Sequence, residues 1–93
     1  MSPLRTAAKF AMGRLLITRG AAPVLSTDHV LNALRRHLDG DWGDVCELDR
    51  ETNDEALQSG GRLFSVYHAD STRFWVITEA DRSATTILLP EEY

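Results

Sequence analysis

The chain reads as one α+β domain: a short N-terminal strand, two helical segments and a three-stranded antiparallel meander. Three observations predict this. Apolar residues recur at helical spacing through Val30, Leu31, Leu34 and Leu38. From Arg62 onward the texture turns β-branched and aromatic. The β-rich runs are separated by short polar breaks, Asp70-Ser71-Thr72 and Asp81-Arg82-Ser83, which suit hairpins. A chain of 93 residues encloses one core and has too little interior for two.

Residues 1–12 carry Arg5 and Lys9 without an acid and lack the apolar core of a secretory signal. They read as a flexible extension to a domain over 13–93, with Met12 an alternative start. The run Arg14 to Thr18, closed by Gly20, is a first strand or a buried turn of helix. Ser26 or Thr27 caps the first helix, and Gly40 stops it. Asp41 is expected to cap the second helical stretch, with Asp44 three residues on; Trp42, Val45, Cys46, Leu48, Ala56 and Leu57 supply its apolar side. Thr52 and Asn53 are weak helix formers, so one broken helix and two short ones both fit, ended by Gly60-Gly61. The strands are Leu63 to Ala69, Phe74 to Thr78 and Ala84 to Leu89, closed by Pro90. Phe74-Trp75-Val76-Ile77 is apolar on both faces, so the N-terminal segment or a second copy of the chain must cover the far side of the sheet. A homodimer through the sheet is therefore one partner reading.

Composition excludes more than it identifies. A net charge of −4 argues against direct nucleic-acid binding, which draws on a basic surface. The single cysteine, Cys46, rules out an internal disulfide, and no run approaches the roughly 20 apolar residues that cross a bilayer. A cytoplasmic setting with no membrane association is expected. Asp39-Gly40-Asp41-Trp42-Gly43-Asp44 fails as a calcium loop, because glycine and arginine fall where oxygen ligands belong. His29, His37 and His68 are scattered, and no phosphate-binding glycine loop or nucleophile elbow is present. Neither a metal, a cofactor nor a catalytic residue is assigned. His37 is expected in the core beside Leu34. Cys46 lies among carboxylates that suppress a thiolate, and reads as buried filler.

The strongest signal is charge. Eight of the 14 acids lie between Asp39 and Glu55, opposed by Arg50 alone. In a helix, Asp44, Glu47, Glu51 and Asp54 form one stripe. With Trp75 they are the candidate partner-binding residues. The stripe reads first as a plain solvated face; as a functional surface it reads as the docking face of a protein-interaction module or, alternatively, as a nucleic-acid mimic inhibiting a nuclease or DNA-binding protein. If helical throughout, residues 39–55 carry one net charge per roughly 3.6 Å, close to one strand of DNA.

Two resemblances extend this reading. The order strand, helix, helix, three strands is similar to the RelE/ParE-like toxin nucleases, and implies an RNA-cleaving role for residues of the types Arg62, Tyr67, His68, Arg73 and Arg82. Gly40-Asp41-Trp42-Gly43-Asp44, Asn53-Asp54-Glu55-Ala56-Leu57 and the block VITEADRSATTILLPEEY over residues 76–93 resemble a family of small uncharacterised proteins carried on plasmids and integrative conjugative elements. That resemblance implies a protein encoded on a mobile element, with no catalytic residues to carry over; the charge stripe, the two-sided apolar strand and the absence of a complete catalytic constellation point to a non-enzymatic interaction module.

Overall fold

In the computed structural model, which describes residues 8–93, the elements follow in the order β1 (Arg14–Ile17), α1 (Thr27–Leu38), α2 (Glu47–Ser59), β2 (Leu63–Ala69), β3 (Thr72–Thr78) and β4 (Ala84–Leu88), closed by a 3-10 turn at Pro90–Glu92. The class is α+β. The N-terminal strand does not stand apart from the meander: β1 pairs in parallel with β4, giving a four-stranded mixed sheet of order β1-β4-β3-β2. Asp70 and Ser71 alone turn β2 into β3, with Asp70 at φ 57°, the conformation a tight hairpin requires.

Helix α1 starts where Ser26 accepts a hydrogen bond from the His29 amide while the His29 ring accepts one from the Ser26 amide. Its Ala33 and Leu34 pack against Tyr67, Phe74, Val76 and Ile87 on one face of the sheet. Below the end of α1, His37 is fully buried, as expected of a core histidine. Its Nδ1 lies 2.6 Å from Ser65 Oγ and its Nε2 2.9 Å from Thr78 Oγ1. Thr78 continues the chain to Thr85, whose hydroxyl donates to the Met12 carbonyl. Burial, then the nearby Arg82 cation, lowers the His37 pKa to about 4.

Several expectations change. Helix α2 begins at Glu47, with Cys46 as its N-cap, and not at Asp41. Residues 42–44 run alongside β2 through an isolated bridge at Gly43: the Val66 amide donates to the Trp42 carbonyl and the Asp44 amide to the Val66 carbonyl. A backbone paired in this way cannot also close helical turns. Asp41 caps no helix: its carboxylate forks onto the Arg36 guanidinium at 2.7 and 3.2 Å and accepts from the Gly43 amide at 3.2 Å, and the Arg36 pairing raises Arg36 and lowers Asp41 from their ordinary pKa values. Cys46 is exposed and is not filler. Leu48, expected on the apolar side of α2, is 70% exposed.

The extension expected over residues 1–12 lies outside the described residues as far as position 7. From Lys9 the chain is held: its amide donates to the Leu38 carbonyl, Phe10 packs on His37 and Trp42, and Met12 joins the core. Among the described residues the N-terminal segment does not cover the far face of the sheet, because β1 lies in the sheet plane. The chain's own C-terminus folds back there instead, setting the Tyr93 ring 5.5 Å from Trp75, which meets Phe64 on its other side at 5.1 Å.

Candidate functional site

The acidic segment splits into a loop and a helix. Asp44 precedes α2, and its carboxylate meets His68 Nε2 at 3.2 Å on the neighbouring strand. It is therefore not part of a helical stripe. Glu47 opens α2 and reaches Arg50 at 3.6 Å, an exposed pair of small energetic weight. Glu51, Asp54 and Glu55 follow on the outer side and stay exposed, with Gln58 and Ser59 beyond them. Trp75 lies elsewhere, on the far face of the sheet. The candidate residues thus form a helical trio, a loop carboxylate with a histidine partner, and a separate tryptophan.

What holds α2 in place was not visible in the sequence. Asn53, read there as a weak helix former, is buried and turns its side chain to the β2 edge. Its amide nitrogen donates to the Phe64 carbonyl at 2.7 Å, and its oxygen accepts from the Phe64 amide at 3.0 Å. The side-chain amide therefore replaces a neighbouring strand. Together with residues 42–44 at Val66, it closes the edge of β2 against pairing by other chains. From the other side, the Trp42 indole donates to Asp54 at 3.0 Å, tying one carboxylate of the face to the buried anchor of the preceding loop. Asn53→Ala should cost about 2 to 3 kcal/mol in urea unfolding, since it leaves both Phe64 backbone groups unpaired under α2.

Between α2 and the far face of the sheet lies a cavity of about 260 Å³, lined by Asp49, Thr52, Asn53, Arg62, Phe64, Ile77 and Tyr93. Arg62 donates to the Tyr93 hydroxyl at 2.7 Å and stacks over its ring. The Trp75 Nε1 is buried without a partner among the described residues. Sequence reasoning reached Trp75, named Arg62 only as a residue of ribonuclease type, and missed Asp49 and Tyr93. The one signal available was the return of the chain after Pro90, which the turn at Pro90–Glu92 makes.

The residues of ribonuclease type do not converge. Tyr67 is buried on the helix side of the sheet, its hydroxyl donating to the Asp41 carbonyl, and burial pushes its pKa up. Arg82 is a structural clamp: its guanidinium donates to the carbonyls of Ala56, Gly61, Glu79 and Ala80. Arg62 is engaged with Tyr93. Only His68 and Arg73 stand side by side, directly opposite each other on β2 and β3. Among the described residues no cluster of three or more His, Cys, Asp or Glu could hold a metal ion, and no helix is long and apolar enough to cross a membrane. The chain matches no protein-family profile, no curated protein and no solved structure, so its functional reading rests on its own residues.

Proposed function

We propose that the chain is a non-enzymatic protein-interaction module whose α2 face receives a basic surface of a protein partner. The observation that carries this reading is the mounting of the helix. Asn53 and Ala56 face inward, the Asn53 amide locks the helix to Phe64, and Asp54 is fixed by Trp42. Carboxylates on a helix fixed in this way are set in place before binding, which lowers the ordering cost of association. Complementary charge then selects and steers the partner.

The same geometry supports a protein partner over mimicry of nucleic acid. Helix α2 carries Glu47, Asp49, Glu51, Asp54 and Glu55 against Arg50, a net −4 over its 13 residues. That is about 20 Å of helix and one net charge per roughly 5 Å, sparser than the 3.4 Å along a DNA strand. A few arginines or lysines on a folded protein match this spacing better than a groove shaped for a duplex. The lone exposed cysteine suits a reducing, cytoplasmic setting. Genes for a toxin, a nuclease or conjugation beside this one would support its place on a mobile element.

The triple variant Glu47→Gln, Glu51→Gln, Asp54→Asn tests the proposal. It should melt within a few degrees of wild type, because the side-chain amide that Asp54→Asn introduces still offers an oxygen to the Trp42 indole. It should lose, in a salt-sensitive manner, a partner that the wild type captures from cell extract. Unchanged capture would sink the assignment. RNA or DNA cleavage by the pure protein that disappears with His68→Ala or Arg73→Ala would overturn the non-enzymatic reading.

A further inference from the structure

The two edges of the sheet are finished differently. The β2 edge is closed at Phe64 and Val66, whereas β1, at the opposite end, pairs with β4 alone among the described residues. The Arg14 amide donates to the Ser83 carbonyl and the Thr18 amide to the Ile87 carbonyl. In a parallel ladder this alternation turns the N–H and C=O groups of Leu15 and Ile17 outward, to the open edge. The side chains there are also unfinished: Leu15, Leu16 and Ile17 are 36%, 41% and 40% exposed. An apolar strand with its backbone groups unpaired is a template for pairing, and natural folds blunt such edges unless they are used.

We propose that this edge is occupied by β1 of a second copy, paired antiparallel about a twofold axis at Leu16. The strand is complementary to itself in that register. Leu15 and Ile17 of one copy face Ile17 and Leu15 of the other, and each pair exchanges two backbone hydrogen bonds. Leu16 meets its own counterpart across the axis on the far face. The four Leu15 and Ile17 side chains gather on the helix side, so every exposed apolar group of β1 is covered. Charge agrees. Arg14 falls opposite Thr18 of the partner copy, and the Thr18 hydroxyl donates to the Glu92 carboxylate, which also accepts from the Gly20 and Leu89 amides. These bonds hold the Glu92 carboxyl below its ordinary pKa. Each Arg14 guanidinium thus approaches a fixed anion of the other subunit, and no like charges face one another across the strands. The result is a continuous eight-stranded sheet, with the two α2 faces at its outer ends. Seven strand steps, roughly 34 Å, separate the two copies of β2, so such a dimer presents its acidic faces bivalently.

Sedimentation of the full chain over a micromolar to millimolar range tests the pairing. The wild-type mass should double from 10.4 kDa, with concentration-dependent protection of the Leu15 and Ile17 amides against hydrogen exchange. Leu15→Pro removes an outward donor while leaving the β4 ladder whole, and should stay monomeric. If that variant fails to fold, Leu16→Lys and Leu16→Glu give the same answer at an exposed position. Each alone should be monomeric, because like charges meet on the axis, and a mixture of the two should regain association. A wild type that stays monomeric at every concentration overturns the proposal, as does a mixture that fails to associate. Protection of both amides in a monomer, which would mean that another segment of the same chain fills the edge, overturns it as well.

Discussion

Lowering the pH from 7 to 4 should cost this fold roughly 3 kcal/mol, and replacing His37 should remove that dependence. A histidine titrates near 6.5 in an unfolded chain, whereas His37 in the fold titrates at about 4, principally because burial disfavours the charged ring. Between those values the unfolded chain binds a proton that the folded chain refuses, so stability rises with pH through the window. The contribution of neutral His37 is complete above about 6.5 and drains away as pH falls toward 4. Each pKa unit is worth about 1.4 kcal/mol, which sets the size of the effect. The carboxylates of Asp41 and Glu92 are held below their ordinary range, so their loss begins where the His37 window ends and steepens acid unfolding further. His37→Gln keeps much of the volume and can bond one hydroxyl; urea midpoints measured from pH 4 to 8 should be lower at neutral pH and nearly flat below it. His37→Ala should cost about 4 kcal/mol at pH 7, since it opens a cavity and strands the hydroxyls of Ser65 and Thr78. A chain of this length has about 5 to 14 kcal/mol in all. If His37→Gln retains the full slope, the assignment of the window to His37 is wrong.

That histidine was legible in the sequence because its cause is local: a polar residue three positions after Leu34 on an apolar helix face must enter the core. The same holds for α1, its Ser26 cap and the three meander strands, where short-range periodicity and turn chemistry coincide with the tertiary structure. The start of α2 was not legible. Asp41 and Asp44 carry a capping signature, but the carboxylate of Asp41 is taken by Arg36 and the amide of Asp44 by Val66, and both partners are fixed by tertiary structure. The stripe lost Asp44 for that reason, and with it the charge density on which mimicry of nucleic acid rested. Asn53 shows the converse. Low helix propensity hid a residue whose amide stands in for a strand, because propensity measures the helix and not the sheet edge beside it. The pairing of β1 with β4 joins segments some 70 residues apart, a distance over which no periodicity carries information.

Gly43→Ala should be among the most damaging single-methyl changes in the chain, lowering stability by about 4 kcal/mol. Gly43 sits at φ 75° where the loop before α2 pairs with β2, and a Cβ there would lie 2.0 Å from the Val66 carbonyl oxygen and 2.8 Å from the Tyr67 ring. The left-handed conformation alone costs a non-glycine residue about 1 to 2 kcal/mol. The remainder comes from displacement: backbone oxygen cannot yield as a flexible side chain can, so residues 42–44 must leave β2 and break their bonds to Val66. Gly60→Ala separates the two terms. Gly60 has φ 88°, but nothing lies within 4 Å of the added carbon, so only the conformational cost applies. For a domain of this size 1 kcal/mol moves the melting temperature by about 4 to 8 °C. Gly60→Ala should therefore lose several degrees, and Gly43→Ala roughly 20 °C. The second loss should come with a red shift in tryptophan emission, because Trp42, 1% exposed, leaves its pocket with the loop. Equal losses at the two glycines would show that the close approach to Val66 carries no energy. The acidic helix would then be held by Asn53 without help from the loop that precedes it.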